Sequence, residues 1–303
     1  MRHPQEYQRR LDRALAYIAH HLHREVTLNE VAAEACFSPY HFHRLFVALT
    51  GETVAGHQRR LRLERAIQQL ILEPQRPIGE IASELGFSTS QNFAKSFRLF
   101  YGHSPSSIRA CGDFTRVDQL LRQHGPINLA AEPYRRCHPL RPMTTSDRSP
   151  TMQVNVIERP SQQIAYLRVN GPYCETMPAG FARLEQWAVA NGHTDGDWLA
   201  LYWDNPETTP VEQLRADVAV SVVPGSEVSG EVQLQTIPAG LYASHRCRVE
   251  NGDFAAPWNA LFGEWLPHSG YQPTEGPCFE HYLNDGRASG VWELVIYTPV
   301  RPL

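Results

Sequence analysis

Two groups of side chains in this 303-residue sequence carry recognisable chemistry. The first is a pair of short polar runs. Tyr40, His41, His43 and Arg44 form one, and Ser90, Gln91, Asn92, Lys95 and Arg98 form the other, offset by 50 residues. These are the hydrogen-bonding types that meet base edges in a duplex groove. Arg59, Arg60, Arg62, Arg65, Arg98 and Arg109 are of the type that neutralises phosphates. The second group is aromatic and acidic. All six tryptophans follow residue 180. Tyr166, Trp187, Trp203, Tyr242, Trp258 and Tyr282 are the candidate aromatics, and two carboxylates, Glu280 and Glu293, interrupt apolar runs. Aromatic faces attract cations, and a carboxylate withdrawn from water adds Coulomb attraction. A plainer reading stays open at this point: each aromatic is core, and each glutamate turns to water by strand alternation.

Other chemistry is not encoded. His20-His21-His23 and His41-x-His43 have no cysteine or carboxylate partners at metal-site spacing. There is no GxSxG elbow, P-loop or GxGxxG fingerprint. No catalytic residue, metal or cofactor is expected. Six scattered cysteines, none in a CxxC pair, fit a reducing compartment. No apolar run approaches the ~18 residues of a membrane span, and the N-terminus has no apolar leader core. A cytoplasmic protein without a membrane partner is the expectation.

Both polar runs need helices to carry them, and the surrounding pattern supplies those helices. Residues 5–111 repeat apolar positions at three-to-four spacing, as in Tyr7, Leu11, Leu15, Ile18 and Leu22. Thr27-x-x-Glu30 is a capping box opening a second helix. Ser38-Pro39 starts a third that Gly51 ends. Thr53 caps a long helix stopped by Pro74 and Pro77. Then the pattern returns: 78–88 echo 28–38, and Phe93, Phe97 and Gly102 echo Phe42, Phe46 and Gly51. This is a duplicated helix–turn–helix in which the phenylalanines face inward and the polar runs face out. A connecting helix of ~19 residues spans ~28 Å, which sets two recognition helices about one duplex turn apart.

Residues 112–150 turn proline-rich and read as a linker, with a short helix around Leu120-Leu121. Residues 151–303 alternate short strands with two helical stretches, Gly180–Ala190 and Phe254–Leu266. The two halves of this region match: a strand pair around a proline turn, a helix, then two strands. Charge divides the same way. Residues 1–111 carry 14 basic and 10 acidic residues, a net of +4, whereas 151–303 carry 8 and 18, a net of −10. A basic front and an acidic back suit different partners.

The front resembles the AraC/XylS family DNA-binding domain over about residues 8–111. The resemblance rests on the two helix–turn–helix units and on Tyr101-Gly102-His103-Ser104-Pro105 with Arg109. It implies DNA contacts from Tyr40, His43, Arg44, Ser90, Gln91, Asn92, Lys95 and Arg98. The back resembles a GyrI-like effector-binding domain over about 152–303, through Asn170-Gly171-Pro172-Tyr173, Gly276–Asn284 and Ile296-Tyr297-Thr298-Pro299-Val300. The combination is a Rob-like architecture. The resemblance implies a groove between two repeats that takes lipophilic, often cationic molecules around a glutamate. In the family that glutamate often stands just before the final strand motif; here Val295 holds the spot and Glu293 lies two residues earlier on the same face.

The expected protein therefore has two domains. An all-α tandem helix–turn–helix domain (5–111) and a linker (112–150) precede an α+β domain (151–303) of two pseudo-twofold-related β-α-β-β repeats. Double-stranded DNA and a small-molecule effector are the expected partners. Two alternatives concern the back half. One is a protein-contact module, for RNA polymerase or another partner. The other is a hydrolase of drug-like molecules using Glu280 or Glu293 with Tyr242.

Overall fold

The computed structural model describes residues 3–122, 152–204, 209–250 and 252–303. The 123–150 part of the expected linker lies outside them. Two compact units form. Among the described residues, one comprises 8–39 and 50–122, the other 3–7, 40–49 and those from 152 onward.

The first unit is helical. It holds most of α1 (His3–His20), then α2 (Leu28–Glu34), α4 (Val54–Leu72), α5 (Ile78–Glu84), α6 (Ser90–Tyr101), α7 (Pro105–Cys111) and α8 (Phe114–Arg122). Side-chain caps start these helices where the sequence places them. Thr27 and Glu30 close a reciprocal capping box, and the hydrogen bond from the Thr27 backbone N–H holds the Glu30 carboxyl down at about 2. Thr53, Thr89 and Ser104 accept from backbone N–H groups at the starts of α4, α6 and α7. The apolar stripe of α4, with Leu63, Ala66 and Leu70, meets Ile81 and Leu85 of α5 and Phe93, Phe97 and Tyr101 of α6. Ile108 and Val117 close this core from α7 and α8.

The turn between α5 and α6 depends on Gly86, at φ 74°. A Cβ there would stand 2.7 Å from the His23 carbonyl oxygen and 2.7 Å from Arg62 Nη2. Left-handed backbone and a clash with a fixed carbonyl act together. Gly86→Ala is expected to destabilise the helical unit by about 2–4 kcal/mol. Urea unfolding followed by circular dichroism at 222 nm checks it; a loss below about 1 kcal/mol would show that the turn adapts. The equivalent position of the first copy is Cys36, the one non-glycine residue with positive φ among the described residues, at 56°.

The second unit joins residues 40–49 of α3 (Pro39–Thr50) to an α+β fold. Its strands are β1 (Val154–Arg159), β2 (Gln162–Asn170), β3 (Trp198–Tyr202), β4 (Arg215–Ser221), β5 (Gln233–Ile237), β6 (Gly240–Glu250), β7 (Tyr271–Pro273), β8 (Cys278–Tyr282) and β9 (Val291–Pro302). Helix α9 (Tyr173–Asn191) follows β2. After β6 come α10 (Ala255–Ala260), a π-helical turn (Leu261–Trp265) and α11 (Leu266–Ser269). The sheet runs β1-β6-β9-β8-β3-β4-β2-β5, with β7 on β9, and these strands pair antiparallel.

That order contains the symmetry. Exchange the first half (β1, β2, β3, β4) for the second (β5, β6, β8, β9) and the same order is read backwards. The axis passes between β3 and β8. Each repeat is a ββαββ unit, and its first strand pairs with the second strand of the other repeat. The expected two-repeat α+β domain is therefore present, with one more strand per repeat than a β-α-β-β unit. Pro160 and Pro238, which have no N–H to donate, end β1 and β5.

Antiparallel register assigns every strand residue to one of two faces. On one face, Ala165, Leu167, Val169, Ala216, Val218 and Val220 pack under Met177, Leu184 and Ala188 of α9. On the other, Ile164, Tyr166, Leu199, Leu201, Ala219, Ile237, Tyr242 and Phe279 form a separate core. Asp217 is fully buried on that second face. It accepts from Arg168 Nε at 2.8 Å and Nη2 at 3.0 Å, Trp203 Nε1 at 2.6 Å and Gln235 Nε2 at 2.9 Å.

Candidate functional sites

The second polar run is placed as expected for a recognition helix. Ser90, Gln91, Asn92, Lys95 and Arg98 are all exposed on α6, while Phe93 and Phe97 are buried. Gln91, Lys95 and Arg98 recur at helical spacing, so they lie on one face. Asn92 donates from Nδ2 to the Ser88 hydroxyl at 3.2 Å, fixing the start of the helix.

The first run differs from the expectation. His41 and His43 are buried, at 4% and 2% exposure, and the Arg44 guanidinium is withdrawn from solvent. The reason is that α3 has two covered sides. Besides the phenylalanine side, the stripe through His41, Arg44 and Ala48 packs on the segment from α10 through the π turn. His41 stacks on Phe262 with centroids 6.2 Å apart, and its Nε2 lies 3.9 Å from Cys278 Sγ. Ala48 sits against Gly263. Burial holds His41 down at about 3 and His43 at about 4, so both are neutral near pH 7.

Three of the expected phosphate-binding arginines also have structural duties. Arg62 is 94% buried by its 6% exposure, and its Nε donates to the Leu22 carbonyl. Arg60 pairs with Glu52 and Glu64. Arg109 Nη2 donates to the Arg76 carbonyl. A cleft of about 640 Å³ is lined by Gln58, Arg59, Arg62, Ser88 and Asn92 in the helical unit. Gln58 there donates to both the His21 and Arg24 carbonyls.

The eight expected ligand residues divide between the faces of the sheet. Glu280 is buried at 1% exposure, in the strand beside the pseudo-twofold axis. Its Oε1 accepts from Trp258 Nε1 at 2.9 Å; its Oε2 accepts from Tyr202 at 2.8 Å and Tyr282 at 2.7 Å. Register explains the set. Ala200 faces Glu280 across β3–β8, so Tyr202 (opposite Cys278) flanks it diagonally, and Tyr282 is its same-face neighbour two residues along β8. Tyr173 packs edge-on to Tyr202 at 5.3 Å, and Phe181 and Trp292 pack edge-on to Tyr282 at 5.6 and 5.4 Å. Burial raises the Glu280 pKa, and the three donors and the charge of Arg44 oppose that rise.

Trp258, Glu280 and Tyr282 thus come together, and Tyr202, Tyr173 and Phe262 join them. Trp187, on α9, stacks on His193 at 5.3 Å. Tyr166, Trp203 and Tyr242 belong to the opposite face, where their polar ends bind Gln233, Asp217 and the Pro238 carbonyl. Glu293 is on that face too, partly exposed and paired with Arg246 at 2.8 Å. Ile296 lies opposite Glu280, so the even positions of β9 share its face and Glu293 does not. Tyr242 and Glu280 are therefore separated by the sheet, and the Glu280–Tyr242 pairing of the hydrolase alternative does not form. Sequence signal for Tyr202 existed: Tyr202-Trp203-Asp204 and Tyr282-Leu283-Asn284 are equivalent in the repeats, and the axis brings equivalent strands together. Among the described residues, no cluster of histidine, cysteine and carboxylates is placed to hold a metal ion. Nor is any helix among them long and apolar enough to cross a membrane.

A helix–turn–helix domain joined to an α+β domain with a buried carboxylate among aromatics is the build of a ligand-responsive DNA-binding regulator. The comparisons agree. Residues 152–301 match the GyrI-like small molecule binding domain, and residues 31–110 match a helix-turn-helix domain, here of the AraC type. The chain belongs to the GyrI-like family. A "DNA gyrase inhibitor" of Yersinia enterocolitica is 50% identical over 153 residues, 98% of its length and 49% of this chain. Another of that name, from Edwardsiella piscicida, is 46% identical over 99% of its length and 50% of this chain. Among solved structures, the "EcmrR-DNA complex in EcmrR-RPo" is similar with a TM-score of 0.43 and 16% identity. It covers 79% of this chain and 77% of that one.

Proposed function

We propose that this chain is a cytoplasmic, sequence-specific transcriptional regulator whose α+β domain senses a lipophilic organic cation at Glu280. In this reading residues 5–111 bind DNA, 112–150 connect, and 151–303 sense. The observation that carries it is the buried Glu280 carboxylate held by three donors inside a wall of aromatic rings. A carboxylate there interacts with a cation far more strongly than one in water. The exposed polar face of α6 supports base and phosphate contacts. The acidic 151–303 surface is the candidate contact for RNA polymerase. Sensing is favoured over catalysis because both Glu280 oxygens are already engaged by three donors from Trp258, Tyr202 and Tyr282.

The test is a titration of the full chain, followed by tryptophan fluorescence, with tetraphenylphosphonium and with neutral triphenylphosphine oxide. Saturable quenching is expected for the cation, at least tenfold tighter than for the neutral molecule. Equal affinities would remove the charge from the reading.

The gyrase-inhibitor relatives favour a second activity of the same domain, since one of them aligns over 98% of its length at 50% identity. A supercoiling assay of DNA gyrase with the full chain tests it; unchanged supercoiling at a hundredfold molar excess would refute it.

A further inference from the structure

The Glu280 site contains a cation already. The Arg44 guanidinium lies 4.9 Å from the centroid of the Trp258 ring, 5.8 Å from Phe262 and 5.0 Å from Tyr40. Trp258 is the ring whose Nε1 donates to Glu280. One aromatic side chain therefore bonds the carboxylate through its edge and faces a positive charge with its π surface. The Arg44 Nε is buried without a hydrogen-bond partner, so the guanidinium is held by rings and by charge rather than by a fork of hydrogen bonds.

The rest of α3 is shaped to deliver it. His41, Arg44 and Ala48 occupy one stripe, at i, i+3 and i+7. Ala48 can approach because residue 263 has no side chain; a Cβ on Gly263 would come within 3.0 Å of the Ala48 Cβ and 3.3 Å of its carbonyl oxygen. Gly263 stands within the π turn, an irregularity that costs helix stability and is common at functional sites. The same stripe bears Arg44 and His41, two of the four residues in the run that the sequence assigns to base edges. Docked here, Arg44 and His41 cannot reach a base.

We propose that Arg44 is the resident occupant of the Glu280 site, and that an effector cation acts by displacing it and freeing α3 for DNA. The inference rests on the reading of Glu280 as the effector site and adds how occupancy is transmitted. Effector and recognition helix compete for one site, so binding one disfavours the other. The ligand this implies is a flat or ring-bearing monocation able to replace a guanidinium beside Trp258 and Phe262.

The experiment uses the full chain with tetraphenylphosphonium as the probe, in wild type, Arg44→Ala and Gly263→Val. Affinity is read by calorimetry, and freedom of α3 by hydrogen exchange of amides 41–49. Both variants are expected to bind the cation at least tenfold more tightly, because the internal competitor is gone or misplaced. Saturating cation is expected to speed exchange of these amides at least tenfold in wild type. Equal or weaker binding by both variants, with α3 exchange unchanged by the cation, would overturn the proposal while leaving Glu280 as an effector site. If none of the three proteins binds the cation, the effector reading fails. Exchange in Arg44→Ala then still decides whether Arg44 holds α3: faster exchange supports the hold, and unchanged exchange refutes it.

Discussion

Replacing Asp217 with alanine is expected to lower the unfolding free energy of the α+β unit by about 3–5 kcal/mol, the range for removing one member of a buried ion pair. Asp217 has no exposed surface and gathers four hydrogen bonds from three side chains. Alanine leaves Trp203 Nε1 and Gln235 Nε2 without an acceptor and strands the Arg168 charge over the Trp203 and Tyr166 rings, 5.4 and 5.7 Å away. Each orphaned donor adds about 1–3 kcal/mol of desolvation. Arg168 is 38% exposed and can turn partly to water, which keeps the total inside that range. Asp217→Asn keeps the shape and one strong acceptor, so about half the loss is expected. Urea unfolding of both variants, followed by tryptophan fluorescence, checks the order Ala worse than Asn. A loss below about 1 kcal/mol in the alanine variant would mean that water fills the site, and the network would not be a determinant of the fold.

The difference between what could and could not be read from the sequence is one of distance along the chain. Local signals were legible. The Thr27–Glu30 box, the Pro39 and Gly102 boundaries and the doubled phenylalanines each involve residues within a few turns, and the helices begin and end there. The symmetry of the back half was legible for the same reason, because two copies of a local pattern repeat. The exchange of β1 and β5 between repeats was not, since it pairs residues 67 to 91 positions apart. The second cover on α3 was hidden more deeply. Its amphipathic pattern announces one buried side through Phe42 and Phe46, whereas the other side is buried by Trp258 and Phe262, over 200 residues later. His41 and Arg44 look like surface residues until that contact exists. Glu293 failed for a different reason. Around it the run Trp292-Glu293-Leu294-Val295-Ile296 is apolar on both faces, so alternation gives no answer, and only the pairing with β8 shows which face holds Glu280.

Glu280→Gln is expected to weaken tetraphenylphosphonium binding by about 2–5 kcal/mol, roughly 30-fold or more, while leaving the fold intact. Glutamine has nearly the same shape. Its Oε1 can still accept from Trp258, and its amide can donate to the Tyr202 and Tyr282 hydroxyl oxygens, which act as acceptors once they turn. What is lost is the charge. The pH dependence follows with a definite sign. Burial raises the folded-state pKa of Glu280 above its unfolded value. Between those two values the folded protein holds more protons than the unfolded one, so this group's contribution to stability falls as pH rises through the window. Cation binding runs the other way, because it needs the ionised carboxylate and weakens as pH falls through the raised value. Wild type is therefore expected to gain affinity as pH rises through the raised value, and to lose thermal stability from this group between the unfolded and the raised values. In the glutamine variant both slopes flatten at this site, and its melting temperature at pH 8 does not fall below that of wild type. Parallel calorimetric titrations and thermal melts at pH 5, 6.5 and 8 separate the two effects. Undiminished binding by Glu280→Gln would leave the aromatic rings alone as the source of affinity. The buried carboxylate would then serve only to fix Trp258, Tyr202 and Tyr282 in place.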